Sequence, residues 1–136
     1  MYDTILVPVD GSDASNRGLD EAIKLAAALG SRLHLLHVVN ELVLIGSEQG
    51  YYDYAAIIDS LREQGKLVLE NALARVRSQR LQPQIHLNES LGARAADVIV
   101  QQAKSLGAQL IIMGTHGRSG LRRLALGSDA EMVGPH

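Results

Sequence analysis

The chain has 136 residues, 46% hydrophobic and 21% charged, which is the size and composition of one globular domain able to bury a full core. Thirteen basic against fifteen acidic residues leave a formal charge of −2, and Trp and Phe are absent, so neither an overall field nor a stacking surface recommends the chain as a nucleic-acid binder. The lack of cysteine excludes a disulfide framework, a thiolate zinc site and a cysteine nucleophile together.

The N-terminal MYDTILVPVD carries no basic flank before its short apolar run, and no stretch approaches the roughly 18 apolar residues of a membrane span. The chain therefore reads as cytoplasmic, with no membrane insertion. TILVPV (4–9) is continuously apolar, as expected of a strand buried on both faces. The cluster Asp10-Gly11-Ser12 ends it, and Leu19, Ala22, Ile23, Ala26 and Leu29 then recur at helical spacing until Gly30. RLHLLHVV (32–39) is a second strand. The Gly- and Tyr-rich stretch 46–54 reads as a mobile surface loop before a long helix carrying Leu61, Val68, Leu69, Ala72, Leu73 and Val76. QIHLNE (84–89) alternates as a third strand; Ala95, Ile99, Ala103 and Leu106 mark a helix closed by Gly107; AQLIIMG (108–114) is a fourth strand, and a last helix is expected from about Ser128.

Alternating strands and helices of these lengths call for an α/β doubly wound, Rossmann-like parallel sheet with helices on both faces, in a single domain spanning 1–136. Ligands of such sheets sit outside the carboxyl ends of the strands, where strand order reverses. Two loops then matter most: PVDGSDAS after strand 1, and GTHGRSGLRRLALGS (114–128) after strand 4.

In the second loop, Gly114 and Gly117 allow the backbone to pass close to a bulky ligand and to turn successive N–H groups inward. Gly127-Ser128 then opens a helix whose free N–H groups favour a phosphate. Each residue also has a plain structural alternative: strand terminator, loop residue, N-cap. The spacing is neither a Walker A loop nor the G-x-G-x-x-G fingerprint.

Gly114, two residues, Gly117, nine residues and Gly127-Ser128 together resemble the G-x2-G-x9-G-[S/T] ATP-binding motif of the universal stress protein family. ILVPVDGSDAS, HVV (37–39) and IIMGTHGRSG (111–120) are similar to that family's first, second and fourth strands. The resemblance covers nearly the whole chain. It implies strand order 3-2-1-4 and an adenine nucleotide ligand, ATP (or AMP or ADP) with magnesium. It also implies a cytoplasmic homodimer induced under stress. By the same resemblance, Val38 meets the adenine edge through its backbone, while Pro8, Val9 and Asp10 flank base and ribose. Met113, Gly114, His116, Gly117, Arg118, Gly127 and Ser128 line the ribose and phosphates, with the amides of Asp129 and Ala130 at the helix start. Asp10 either helps to place a metal ion or simply caps the first helix; Arg122 and Arg123 read as a solvated basic face.

The chain departs from the family pattern at three places. Gly18 stands where a small alanine is usual, an expected local cost of about 1 kcal/mol. Asp129 replaces a valine beside the phosphate pocket, and would either weaken triphosphate binding or join a metal shell. The family's closing proline-led strand is missing after EMVGPH, so strand 4 is expected to present an open edge that a homodimer or higher oligomer covers, the alternative being a monomer whose last helix and Gly134-Pro135-His136 tail fold back over it. Three function classes follow: a nucleotide-binding regulatory module, a slow ATPase or autophosphorylating phosphotransferase, and a scaffold with a vestigial pocket. The loop has no P-loop lysine, and no Ser-His-Asp or H-E-x-x-H spacing occurs, so binding is favoured over catalysis.

Overall fold

The computed structural model describes residues 2–40, 54–90, 93–115, 120–126 and 132–133. Strand β1 (Thr4–Pro8) is followed by α1 (Asp13–Leu29), β2 (Arg32–Asn40), α2 (Tyr54–Arg77), β3 (Gln84–Ser90), α3 (Ala95–Leu106), β4 (Leu110–Gly114), β5 (Leu121–Leu126) and β6 (Met132–Val133). The sheet order is β3-β2-β1-β4-β5-β6, parallel across the first four strands and antiparallel at the last two junctions.

The apolar runs explain the layers. Along β1, Ile5 and Val7 point to one face and Leu6 to the other, and none of the three is exposed at all. Leu19, Ala22 and Ala26 of α1 and Leu69, Ala72 and Val76 of α2 cover the first face; Ala103 of α3 covers the second. Helix α1 begins where Ser12 accepts a hydrogen bond from the Ser15 amide at 3.1 Å, and it stops at Gly30, whose amide donates to Ala26 at 2.8 Å. On the surface of the same face, Arg75 grips Asp20 with two hydrogen bonds of 2.7 and 3.0 Å and so holds the Asp20 carboxyl below the ordinary carboxylate range. Both groups are exposed, so the clasp orients α2 on α1 more than it stabilises the fold.

Several expectations are corrected. A fifth strand exists: LRRLAL, read from its arginines as loop, turns back as β5 and pairs with β4 from Leu110↔Ala125 to Gly114↔Leu121. The reason lies in β4 itself, whose Leu110, Ile111 and Ile112 are buried and whose outer backbone groups need partners. The nearest segment able to supply them is the one that follows, through a hairpin closed where the Thr115 amide donates to Gly120 at 3.2 Å. With β4 covered, the open-edge argument for oligomerisation no longer applies. The sheet is accordingly mixed rather than wholly parallel, and Met132–Val133, expected in the last helix, is strand; Ser128 lies outside the described residues, as do 46–53 of the expected surface loop.

The expectation for Gly18 is corrected as well. A Cβ built there would lie 2.5 Å from the Gly114 nitrogen, and one built on Gly114 would lie 1.6 Å from the Ala14 carbonyl oxygen. The two glycines let α1 rest directly on the end of β4. Gly18 is thus a packing requirement rather than a local weakness.

Between β2 and β3 the register stacks His34 against His86, with ring centroids 5.1 Å apart and His34 Nδ1 2.9 Å from His86 Nε2. His34 is only 8% exposed. Burial pushes both imidazoles below their ordinary value of 6.5, and for His34 the charges of His86 and Arg32 add to it. The unfolded chain therefore takes up protons first as pH falls, so this contribution to stability is complete above about pH 6.5 and declines below it toward the depressed folded values. The urea midpoint is expected to drop between about pH 7.5 and 5.5, and the drop should shrink in His86→Gln. An equal drop in that variant would assign the dependence to other groups.

Candidate functional site

At the carboxyl ends of β1, β2 and β4 the sheet opens into a cleft of about 440 Å³, a volume suited to a small ligand. Strand order reverses here: β1 leads through α1 to β2 on one side, while β3 leads through α3 to β4 on the other. Pro8, Val9, Asp10, Val38, Met113 and Gly114, all singled out from sequence, line this one cleft. The other sequence-derived positions, His116, Gly117, Arg118, Gly127, Ser128, Asp129 and Ala130, lie outside the described residues. Ser15, Leu36, His37, Ala95 and Ile99 complete the lining.

The walls are fixed by hydrogen bonds that follow from the local sequence. Val9, just past β1, donates its amide to Leu36 at 2.8 Å, and its carbonyl accepts from His37 Nδ1 at 2.9 Å. A carbonyl can only accept, so His37 carries its proton on Nδ1. Its ring is held from behind by α2, where a Cβ on Gly65 would come within 2.6 Å of His37 Cδ2. The turn after Val9 is equally committed. Asp10 Oδ1 accepts from the Ser12 amide at 2.9 Å, and the Asp10 amide donates to Ser15 Oγ at 3.0 Å. Asp10 thus organises the turn that starts α1, with Ser12 as the cap itself.

The cleft is chemically two-sided. Leu36 and Val38 of β2 and Ile99 of α3 make an apolar slot, while Asp10 and Ser15 bring polar atoms from the β1 side. Among the described residues no group of three or more His, Cys, Asp or Glu is placed to hold a metal ion. No helix among them is long and apolar enough to cross a membrane.

Residues 1–134 match the sequence model of the Universal stress protein family. The chain belongs to that family. Universal stress protein YxiE of Bacillus subtilis is 34% identical over 140 residues, spanning 98% of this chain and 92% of that protein. A universal stress protein family structure from Burkholderia pseudomallei is 35% identical, with a TM-score of 0.73 over 85% of this chain and 83% of its own. The universal stress protein of Archaeoglobus fulgidus in complex with dAMP is 25% identical, with a TM-score of 0.60 and coverage of 83% and 81%.

Ser15 closes the loop PVDGSDAS that the sequence marks as important, whereas Ala95 and Ile99 stand in the sequence only as members of a helical repeat. Ile99 packs against the core and lines the cleft at the same time.

Proposed function

We propose that this universal stress protein domain binds an adenine nucleotide, ATP in its resting form, in the cleft between β1, β2 and β4, and acts as a regulatory binding module. The observation that carries this reading is the convergence of Pro8, Val9, Asp10, Val38, Met113 and Gly114 on one cleft at the switch point of the sheet. The apolar slot of Leu36, Val38 and Ile99 suits a flat base, and the fixed backbone at Val9 and the exposed Asp10 suit the ribose. The dAMP complex of the Archaeoglobus relative supports the ligand class. His116, Gly117, Arg118, Gly127, Ser128, Asp129 and Ala130 take the phosphates in this reading. Magnesium fits as an ion carried by the nucleotide's phosphates, with Asp10 as one protein oxygen, rather than as the occupant of a protein cage. The stress-response role, the cytoplasmic setting and the homodimer rest on the family resemblance.

Calorimetry of the purified chain with ATP, AMP and GTP tests the proposal. One-to-one binding of the adenine nucleotides, with GTP weaker, is the expected result, and turnover of ATP with magnesium should stay well below about 1 per second. Absence of adenine nucleotide binding refutes the reading. Sustained turnover of several per second, lost in Asp10→Ala, would make the protein an ATPase instead.

A further inference from the structure

We infer that Arg122 is a phosphate-recognising residue of the proposed nucleotide site, an assignment that rests on the adenine nucleotide reading and deepens it. The strand β5 was not expected, and its register gives the two neighbouring arginines different surroundings. Arg122 stands directly opposite Met113 in the antiparallel ladder, and Arg123 opposite Ile112. Facing residues of an antiparallel pair share one side of the sheet, with Cβ atoms about 5 Å apart. Met113 lines the cleft. Arg122 therefore rises beside the cleft wall, on the same side as Leu124 and Leu126, which pack into the core beneath α3. Arg123 points to the opposite side with Leu121 and Ala125, which pack into the core beneath α1 and α2.

The chemistry of the cleft sets the ligand's direction. Its apolar slot lies on the β2 and α3 side, so a base seated there sends its ribose and phosphates across β1 toward β4 and β5. Arg122 waits at that end. Its side chain is exposed, so its charge pays no burial penalty, and its planar fork can hold a phosphate through two parallel hydrogen bonds. Recognition of this kind strengthens with phosphate charge and is absent for a nucleoside.

The test compares adenosine, AMP and ATP by calorimetry at low and moderate salt, using the full chain and its Arg122→Ala, Arg122→Lys and Arg123→Ala variants. Arg122→Ala should lose about tenfold in ATP affinity, less for AMP and nothing for adenosine, with a shallower salt dependence. Lysine should restore part of the loss, and Arg123→Ala should match the unaltered chain. Equal losses for Arg122→Ala and Arg123→Ala, or a loss for adenosine as large as for ATP, would overturn the assignment. ATP binding indifferent to Arg122 overturns it alone, whereas a chain that binds neither adenosine nor ATP removes the nucleotide reading and this assignment together.

Discussion

Replacing Gly18 by alanine is expected to destabilise the protein by about 2 kcal/mol or more, although helix propensity by itself predicts a gain of about 1 kcal/mol for that change. The two effects have opposite signs, and the contact distances decide between them. Gly18 sits in the second turn of α1, and an added Cβ would stand 2.5 Å from the Gly114 nitrogen and 2.9 Å from the Met113 carbonyl carbon. Those are backbone atoms of a buried strand, which cannot turn aside as a side-chain tip can. Relief requires α1 to lift from β4, opening the core around Leu19 and Ile112, both fully buried. Gly114→Ala meets a harder obstacle, since its Cβ would fall 1.6 Å from the Ala14 oxygen, and a loss of about 3 kcal/mol or more is expected. For a domain of this size that is a fall in Tm of roughly 10 °C. Thermal unfolding of both variants checks the contact; a higher Tm for Gly18→Ala would show that α1 does not lie as closely on β4 as described.

The same pair of glycines shows what a sequence can and cannot convey. Periodicity located β1, β2, β3 and β4 to within two residues at each end, together with α1 and α3, because burial of one helical stripe or of a whole strand leaves a repeat in the chain itself. Gly18 left no such mark. Its requirement comes from β4, about ninety-five residues away, and propensity registers only the helix in which a residue stands. The hairpin at β5 was hidden for a related reason: Leu121, Leu124 and Leu126 are apolar, but Arg122 and Arg123 break the alternation, and the demand for a strand there arises from the β4 edge. The stacked pair His34 and His86 likewise needs the β2–β3 register to appear. In the candidate site, the six described positions reached from loop and strand ends share one cleft, since those ends are where a parallel sheet must open. Ile99 escaped notice because α3 offers it to the core and the cleft at once, while Ala95 lines the cleft as the first residue of the same helix.

That dual position makes α3 the place to close the cleft without touching the glycine loop. Ala95 is the first residue of α3 and is half-buried against the cleft, so a larger side chain there grows into the ligand space rather than into the sheet. Ala95→Trp is expected to weaken adenosine, AMP and ATP alike by about a hundredfold or more, because an indole would occupy the slot formed with Val38 and Ile99 that the base needs. This uniform loss differs in kind from the phosphate-graded loss expected of Arg122→Ala, so the two variants separate base recognition from charge recognition. Stability should change little, since Arg94 at the N-cap makes no side-chain capping bond that the substitution could break. Ala95→Leu should give an intermediate loss, and circular dichroism with thermal unfolding establishes that both variants are folded. Unchanged affinity in a folded Ala95→Trp protein would place the base outside this cleft and leave the apolar slot of Leu36, Val38 and Ile99 as ordinary core margin.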